Sequence, residues 1–352
     1  MANAVTDRVS RSSSPDRIEA DLAALWREVA RDGPVSRAVM SNLVVYCRCP
    51  ADQNVDLGVP PADIPVEDVA RQHPARVILL HHDLDAPDQL TLAAHVGVLL
   101  FGPPAARYGV EQIVIRSACS EAALPSIVRP LMLGDVPTTV WWTEDLSRTR
   151  PLTPLVTMGR QLVYDSRRWR DVRLAVNALT PLLSGRFGPD LADANWRRLT
   201  PVRQALIHAI GSGDAVKRPM FGSVRIRHQA GESALAWLLA GWLESVGSQG
   251  LHQDAVSNEQ IRRAPDPTIE LAVTEDPALR DDVLAASFGD DLQLRLGAHQ
   301  VTVEDALGPA PFTVSIPHEE GAQAIAAELR LLTHDQAFHA TLGALARRFG
   351  PG

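Results

Sequence analysis

Short apolar runs alternate with helical patterns through the first half of the chain, and this alternation constrains the fold more than any other feature. Runs rich in β-branched residues predict strands at 39–49, 76–81, 95–101, 108–117, 138–142 and 161–164. Helical periodicity predicts intervening helices at 14–33, 65–72 and 122–133. Strands that alternate with helices build an α/β layered domain. The two successive strands within 95–117 add a β-hairpin to it.

The pattern changes in the second half, where strands follow one another more closely. Helices are predicted at 171–183, 190–198, 200–210, 233–246, 318–332 and 335–349, a loop at 247–267, and strands at 223–228, 268–273, 292–296, 300–303 and 313–316. This order indicates an α+β domain with a mostly antiparallel sheet flanked by helices. We therefore predict two layered domains, an N-terminal α/β domain at 14–185 and a C-terminal α+β domain at 186–352, after a disordered polar tail at 1–13.

Charge and apolar content narrow the classes of partner. The 352 residues include 34 basic and 42 acidic side chains, a net charge of −8, and nucleic-acid binding usually needs a basic excess. No apolar run reaches the roughly 18 residues of a membrane-spanning helix, and the polar N-terminus has no signal-peptide core. These observations predict a cytoplasmic protein with neither nucleic acid nor membrane as its partner.

Sequence motifs for catalysis are missing. The chain has no Gly-x-Gly-x-x-Gly, no P-loop, no His-Glu-x-x-His and no nucleophile elbow. Lys217 is the only lysine, so mechanisms that need a catalytic lysine have one candidate. We assign no catalytic residue, no metal and no cofactor, and we expect a protein that is not an enzyme.

Two clusters of reactive side chains have both a structural and a functional interpretation. The segment from His81 to Asp85 could supply metal ligands, but it also reads as a polar strand end that enters a turn. Cys47 and Cys49 lie two residues apart in a strand, too far for a relaxed disulfide, which favours packing in the core. A redox role for these two thiols, or for Cys119, stays open.

Arginine and tryptophan provide the candidates for binding. An arginine-rich stretch includes Arg160, Arg167, Arg168, Arg170 and Arg173, followed by Arg197, Arg198 and Arg203. Guanidinium groups suit phosphate or carboxylate ligands, although nearby aspartates could pair with them instead. Trp141 and Trp142 are adjacent in a strand, so they either anchor a partner or pack on both faces of a central strand.

Five segments together resemble the OpcA family, the assembly proteins and allosteric effectors of glucose-6-phosphate dehydrogenase. The segments, in chain order, are His73-Pro74-Ala75-Arg76-Val77-Ile78; Pro130 to Pro137 followed by Val140-Trp141-Trp142; Val163-Tyr164-Asp165-Ser166; Asp190 to Arg203; and Ala240-Gly241-Trp242-Leu243. The resemblance covers residues 15–245, and the remainder fits by position and length. Cyanobacterial relatives are linked to redox control, but this chain has no cysteine after Cys119.

The resemblance implies a non-catalytic activator or assembly factor of glucose-6-phosphate dehydrogenase, which supports NADPH production in the oxidative pentose phosphate pathway. It brings no catalytic residues, so the candidates remain those of the residues themselves. Partner contacts are predicted at Trp141, Trp142, Trp196, Arg197 and Arg198, and anion binding at Arg167, Arg168 and Arg203. Thr200 is predicted to cap a helix. The alternative is a sugar-phosphate-binding sensor or enzyme that uses the arginine-rich anion site.

Overall fold

The two predicted kinds of sheet are both present in a computed structural model of the chain. It describes residues 7–48, 57, 61, 63–83, 92–183, 188–211, 223–253, 270–306, 310–319 and 321–350. The helices of these residues are α1 (Ile18–Val29), α2 (Val66–Gln72), α3 (Leu124–Val128), α4 (Thr153–Val156), α5 (Val172–Leu183), α6 (Thr200–Gly211), α7 (Ser233–Gln253), α8 (Gly321–Arg330) and α9 (Gln336–Phe349).

The first sheet is mixed and has helices on both faces. Its strands are β1 (Asp7–Ser13), β2 (Val35–Arg37), β3 (Ser41–Arg48), β4 (Ala75–His82), β5 (Leu92–Phe101), β6 (Arg107–Ser117), β7 (Thr138–Trp142), β8 (Gln161–Tyr164) and β9 (Asp190–Asp193). In β3, Leu43 and Val45 face the helix layer that contains α2 and α8, whereas Val44 and Tyr46 face the layer that contains α1 and α5. Burial on both faces explains why the central strands are continuous apolar runs.

Six consecutive strands of this sheet run parallel, in the order β6-β4-β3-β7-β8-β9, and the short β2 also pairs in parallel with β6. Of these six strands, β3 comes first in the chain. The strands β4 and β6 are then added on one side of it, and β7, β8 and β9 on the other side. This is the strand order of doubly wound sheets, which bind ligands beyond the carboxyl ends of the strands where the order reverses. The reversal lies between β3 and β7. The predicted hairpin is present as the antiparallel pair β5 and β6.

The second sheet is antiparallel except for one pair. Its strands are β10 (Ser223–His228), β11 (Glu270–Glu275), β12 (Asp282–Phe288), β13 (Leu292–Gly297), β14 (Gln300–Asp305) and β15 (Phe312–Ser315), in the order β11-β10-β12-β13-β14-β15 with β10 and β11 parallel. Helices α6 and α7 pack on one face. Arg225, Arg227 and Arg295 are exposed on the opposite face, as the alternation of apolar and polar residues requires. The predicted combination of α/β and α+β layers is confirmed.

The two sheets share one continuous core, because helices at the end of the chain return to the first half. Helix α8 packs on α2 and β8, and α9 packs on α5 and α7. The Gln161 amide in β8 donates to the carbonyl groups of Glu328 and Leu331, each at 3.3 Å. The apolar cluster on the face of the first sheet that is covered by α1 and α5 continues into α7 and the second sheet.

The first sheet extends beyond the predicted limits of the N-terminal domain at both ends. Residues 7–13, predicted to belong to a disordered tail, instead form β1, which pairs with β5 along its whole length. The strand was not visible in the sequence because it is polar, with Val9 as its one apolar residue, and backbone hydrogen bonds hold it at the sheet edge. Residues 1–6 lie outside the described part of the chain.

The predicted helix at 190–198 is also wrong. Residues Asp190–Asp193 form β9, with Leu191 on one face of the sheet and Ala192 on the other, and a 3-10 turn follows at Trp196–Leu199. The open edge of β8 determines this outcome, because all four residues of β9 pair with it in parallel register. Thr200 has helical backbone angles (φ −55°, ψ −51°), so it is not the predicted cap.

Two helix boundaries and one strand also differ from the sequence prediction. Helix α1 begins at Ile18, after the Ser14 to Arg17 turn. Strand β12 was not predicted. Helix α7 continues to Gln253, into the predicted loop at 247–267, whose residues 254–267 lie outside the described part of the chain.

Candidate functional site

The carboxyl ends of β3 and β7 meet at the reversal of strand order. Tyr46 in β3 is the register partner of Trp142 in β7. The Thr143 hydroxyl donates to the Tyr46 carbonyl oxygen at 2.8 Å and closes the two strand ends together. The chain leaves both strands here, so polar side chains of the following residues collect at this edge.

A crevice opens at this edge and encloses about 350 Å³. We call it the switch-point crevice, and its lining residues are Cys47, Arg48, Pro61, Asp63, Ile64, Thr143, Glu144, Asp145, Arg148, Arg168 and Arg170. Its volume is at the lower end of the range of about 300–1,000 Å³ for small-molecule sites. Its position at the reversal of strand order, rather than its size, makes it the leading candidate site, since a neighbouring pocket that shares Arg48 and Arg148 is larger, at about 830 Å³.

Four arginines line this crevice, and they fall into two groups. The Arg168 guanidinium donates to the Thr143 carbonyl oxygen at 3.1 Å and to the Asp63 carbonyl oxygen at 3.0 Å. These bonds connect the segment before α2 with the end of β7. Arg48 lies 3.5 Å from the Thr149 hydroxyl. Among the described residues, the guanidinium groups of Arg148 and Arg170 have neither an ion pair nor a hydrogen bond.

The carboxylates of the crevice accept hydrogen bonds from backbone groups. Glu144 accepts from the Arg48 N–H at 2.8 Å. Asp145 accepts from the N–H and the hydroxyl of Ser147, at 2.9 and 2.7 Å, and from the Arg170 N–H at 3.3 Å. These bonds hold the loop after β7 and leave further lone pairs of both carboxylates available.

A thiol and an imidazole lie behind the crevice. Cys47 Sγ is 3.4 Å from His81 Nδ1, and both residues are buried. Burial and the nearby Arg116 lower the pKa of His81 to about 4, so its ring is neutral at neutral pH. Cys119 is also buried, and its sulfur accepts from the Ser117 hydroxyl at 2.9 Å. Cys49 lies outside the described residues.

The cluster from His81 onward is structural within the described residues. The Tyr46 hydroxyl lies 3.0 Å from His82 Nδ1, and His82 Nε2 donates to the Cys119 carbonyl oxygen at 2.9 Å. Asp83 pairs with Arg116 at 3.3 Å. In the part of the chain that the structure describes, no group of three His, Cys, Asp or Glu side chains could hold a metal ion.

Four of the predicted binding residues lie together in a second pocket beside the crevice. This pocket of about 200 Å³ is lined by Trp141, Trp142, Arg167 and Arg168, together with Ile64 and Asp165 among others. Arg167 pairs with Asp165 at 2.5 Å, as the nearby aspartates led us to consider, and this bond raises the pKa of Arg167. Arg168 borders both pockets and separates them.

Three other predicted residues lie in a third pocket, of about 220 Å³, between the first sheet and the helices α8 and α9. The Arg203 guanidinium carbon lies 3.8 Å from the ring centroid of Trp196, whose Nε1 donates to Asp335 at 2.8 Å. Arg197 pairs with Glu319 at 2.9 Å and with Glu328 at 3.2 Å. The structure therefore separates Arg203 from Arg167 and Arg168, and Arg198 pairs elsewhere, with Glu232 at 2.7 Å.

The three tryptophans are not surface anchors. The exposed fractions of Trp141, Trp142 and Trp196 are 5%, 1% and 4%. Helices cover both faces of the sheet at β7, so the two neighbouring tryptophans are buried on opposite sides, which was the alternative interpretation of this pair. Of the five predicted partner contacts, Arg197 and Arg198 alone reach the surface, with side chains 22% and 30% exposed.

Asp193, one of the nearby aspartates predicted as possible ion-pair partners of the arginines, is a buried carboxylate whose role the sequence did not indicate. Its Oδ1 accepts from the N–H groups of Ser166 and Asn195, at 3.0 and 2.9 Å. Burial, reinforced by Asp165, raises the pKa of Asp193 to about 7. Sequence reasoning also did not group Arg48 and Arg148 with Arg170. The available signal was that Arg48 ends a buried strand and that Glu144 lies just after another.

Two family models match consecutive parts of the chain. Residues 66–180 match the family model described as the glucose-6-phosphate dehydrogenase subunit N-terminal domain, and residues 189–342 match that of the C-terminal domain. No curated protein matches the chain. A crystal structure described as a "putative oxidoreductase" from Magnetospirillum magnetotacticum MS-1 covers 89% of this chain and 99% of its own, at 11% identity and a TM-score of 0.37. That likeness is too weak to carry an argument. Among the described residues, no helix is both long and apolar enough to span a membrane.

Proposed function

We propose that this chain, which belongs to the OpcA family of glucose-6-phosphate dehydrogenase subunits, binds a glucose-6-phosphate dehydrogenase and shifts it to its active oligomer or conformation. The observation that carries the proposal is the match to both subunit domains, in chain order, over residues 66–180 and 189–342. The protein would thereby support NADPH production in the oxidative pentose phosphate pathway, in the cytoplasm.

The mechanism needs no chemistry on this chain. A protein that binds the active form of its partner more tightly than the inactive form shifts the population toward the active form. A coupling free energy of about 1–3 kcal/mol changes substrate affinity about 5–150-fold. The effector therefore contributes binding surface, and the dehydrogenase contributes the catalytic groups.

The geometry of the switch-point crevice is compatible with a non-catalytic role. Glu144 and Asp145 each accept backbone hydrogen bonds, which hold the loop after β7. With a pKa of about 4, His81 is a weak base toward Cys47 at neutral pH. These features favour a site that binds over a site that transfers protons.

A direct test combines the purified chain with its cognate dehydrogenase. We expect co-sedimentation at micromolar concentrations, together with a lower apparent substrate constant or a higher rate of NADPH formation. Complex formation with unchanged kinetics would instead identify a scaffold. If neither a complex nor a rate change were observed, the proposal would be wrong.

Arg197 and Arg198 remain the proposed partner contacts, and Arg198 allows a matched test. Both Arg198→Gln and Glu232→Gln break the internal ion pair of 2.7 Å, but only the first removes the proposed contact. We expect Arg198→Gln to weaken dehydrogenase binding and Glu232→Gln to preserve it. Equal binding by the two variants would remove Arg198 from the interface.

A further inference from the structure

The switch-point crevice has a composition that suits a particular class of small molecule. In open α/β sheets, ligands bind beyond the carboxyl ends of the strands where the strand order reverses, and the crevice lies at this place between β3 and β7. We infer that it binds a phosphorylated sugar, whose phosphate contacts Arg148 and Arg170 and whose hydroxyl groups contact Glu144 and Asp145. This role goes beyond dehydrogenase assembly and does not depend on it.

Two guanidinium groups of the crevice are available to bind a phosphate. The Arg168 guanidinium already donates hydrogen bonds to the carbonyl groups of Thr143 and Asp63. Arg148 and Arg170 line the same crevice, and their guanidinium groups have no partner within the described ranges. A planar guanidinium offers paired donors that match two phosphate oxygens, and charge-assisted bonds of this kind are among the strongest hydrogen bonds.

The carboxylates of the crevice are suited to bind the hydroxyl groups of a sugar. Asp63, Glu144 and Asp145 line the crevice together with the four arginines. A polyanion without hydroxyl groups would be repelled by these carboxylates, whereas each ionised carboxylate can accept hydrogen bonds from hydroxyl groups. A ligand with phosphate at one end and hydroxyl groups at the other satisfies both sets of side chains.

Two observations favour a monosaccharide phosphate over a dinucleotide. The crevice that holds both arginines and both carboxylates encloses about 350 Å³, near the lower limit for small-molecule sites. The pocket of about 830 Å³ beside it shares Arg48 and Arg148 but is not lined by Arg170, Glu144 or Asp145. The connection from β3 to α2 contains one glycine, Gly58, in place of the Gly-x-Gly-x-x-Gly turn that lets a backbone approach a pyrophosphate. The pattern of binding groups is therefore that of one phosphate beside several hydroxyl groups.

The experiment uses the full chain alone, without the dehydrogenase. Isothermal titration calorimetry would measure glucose 6-phosphate and 6-phosphogluconate, with inorganic phosphate and glucose as separate arms. We expect at least one sugar phosphate to bind, and to bind more tightly than either separate arm. The inference is overturned if neither sugar phosphate binds at millimolar concentration, or if inorganic phosphate binds as tightly as the sugar phosphates.

A matched pair of variants locates the site. Arg148→Gln/Arg170→Gln should raise the dissociation constant about tenfold or more, since each lost charge-assisted bond is worth about 1.5–3 kcal/mol. Arg225→Gln/Arg295→Gln removes the same charge from the exposed face of the second sheet, where these side chains also have no partner among the described residues. Similar losses in both double variants would show that binding is non-specific and would overturn the assignment.

Discussion

The indole ring of Trp142 lies flat against the phenol ring of Tyr46, with centroids 4.0 Å apart and planes 5° apart. The two residues are register partners on β7 and β3, and both are almost completely buried. This stack joins the strands on either side of the reversal, directly beneath the edge where the switch-point crevice opens. Trp142 therefore supports the site from within the core.

Trp142→Ala should destabilise the protein by about 3–5 kcal/mol, the usual cost of truncating a buried aromatic side chain. Trp142→Phe should cost much less, because an aromatic ring still faces Tyr46 and because the indole Nε1 has no hydrogen-bond partner among the described residues. Urea unfolding followed by circular dichroism would measure both. Equal losses for the two variants would show that the stack is not the source of the stability.

Asp193 should make stability depend on pH in an unusual direction. Its pKa is about 7 in the folded protein, against about 3.9 in an unfolded chain, so the folded state binds more protons between these values. Stability from this group is then present at low pH and lost as the pH rises from about 4 to 7, by up to about 1.4 kcal/mol per pH unit. Asp193→Asn should remove this dependence because an amide does not titrate, while its oxygen can still accept from the N–H groups of Ser166 and Asn195.

The measurement is the difference in unfolding free energy between wild type and Asp193→Asn at several pH values. A difference is needed because His81 acts in the opposite direction. Its pKa of about 4 lies below the unfolded value, so stability falls as the pH decreases from about 6.5 to 4. A difference that does not change between pH 4 and 7 would contradict the assignment to Asp193.

Sequence patterns identified the helices and strands that bury apolar residues. They failed for elements whose structure is determined by backbone hydrogen bonds or by contacts with residues distant in sequence. β3 was predictable because Leu43 to Tyr46 is a continuous apolar run. β1 and β9 were not, since each is held by the edge of a neighbouring strand. The same limit applies to the site. Arg48, Arg148 and Arg170 line one crevice only because β3, β7 and β8 are neighbours in the sheet, and strand order is not encoded in local spacing.

Glu111 should be one of the most sensitive charged positions. The side chain is almost completely buried and accepts from Trp26 Nε1 at 2.7 Å and Arg37 at 2.9 Å, with Arg76 Nε 3.2 Å away. Glu111→Gln leaves Arg76 with Glu19 as its remaining ion-pair partner, and Arg37 is half exposed, so the loss should be about 1–3 kcal/mol. Chemical denaturation would measure the loss.

A surface ion pair provides the control for Glu111. Glu28 pairs with Arg11 at 2.7 Å, with side chains 50% and 40% exposed. Glu28→Gln should cost no more than about 1 kcal/mol, because solvent screens exposed pairs. A comparable loss in the two glutamine variants would contradict the distinction between the buried and the exposed pair.

Gly241 sets the distance between α7 and α9. A Cβ atom at this position would lie 2.6 Å from Leu345 Cγ and 3.0 Å from the Thr341 carbonyl oxygen. Gly241→Ala should therefore force the helices apart and cost about 1–3 kcal/mol, the usual range for overpacking. Gly343→Ala in α9 is the matched control, since its Cβ would contact only Arg347 at 3.7 Å. That variant should gain up to about 1 kcal/mol from helix propensity. Thermal unfolding would measure the change in stability of both variants. A stabilised Gly241→Ala variant would refute the close approach of the two helices.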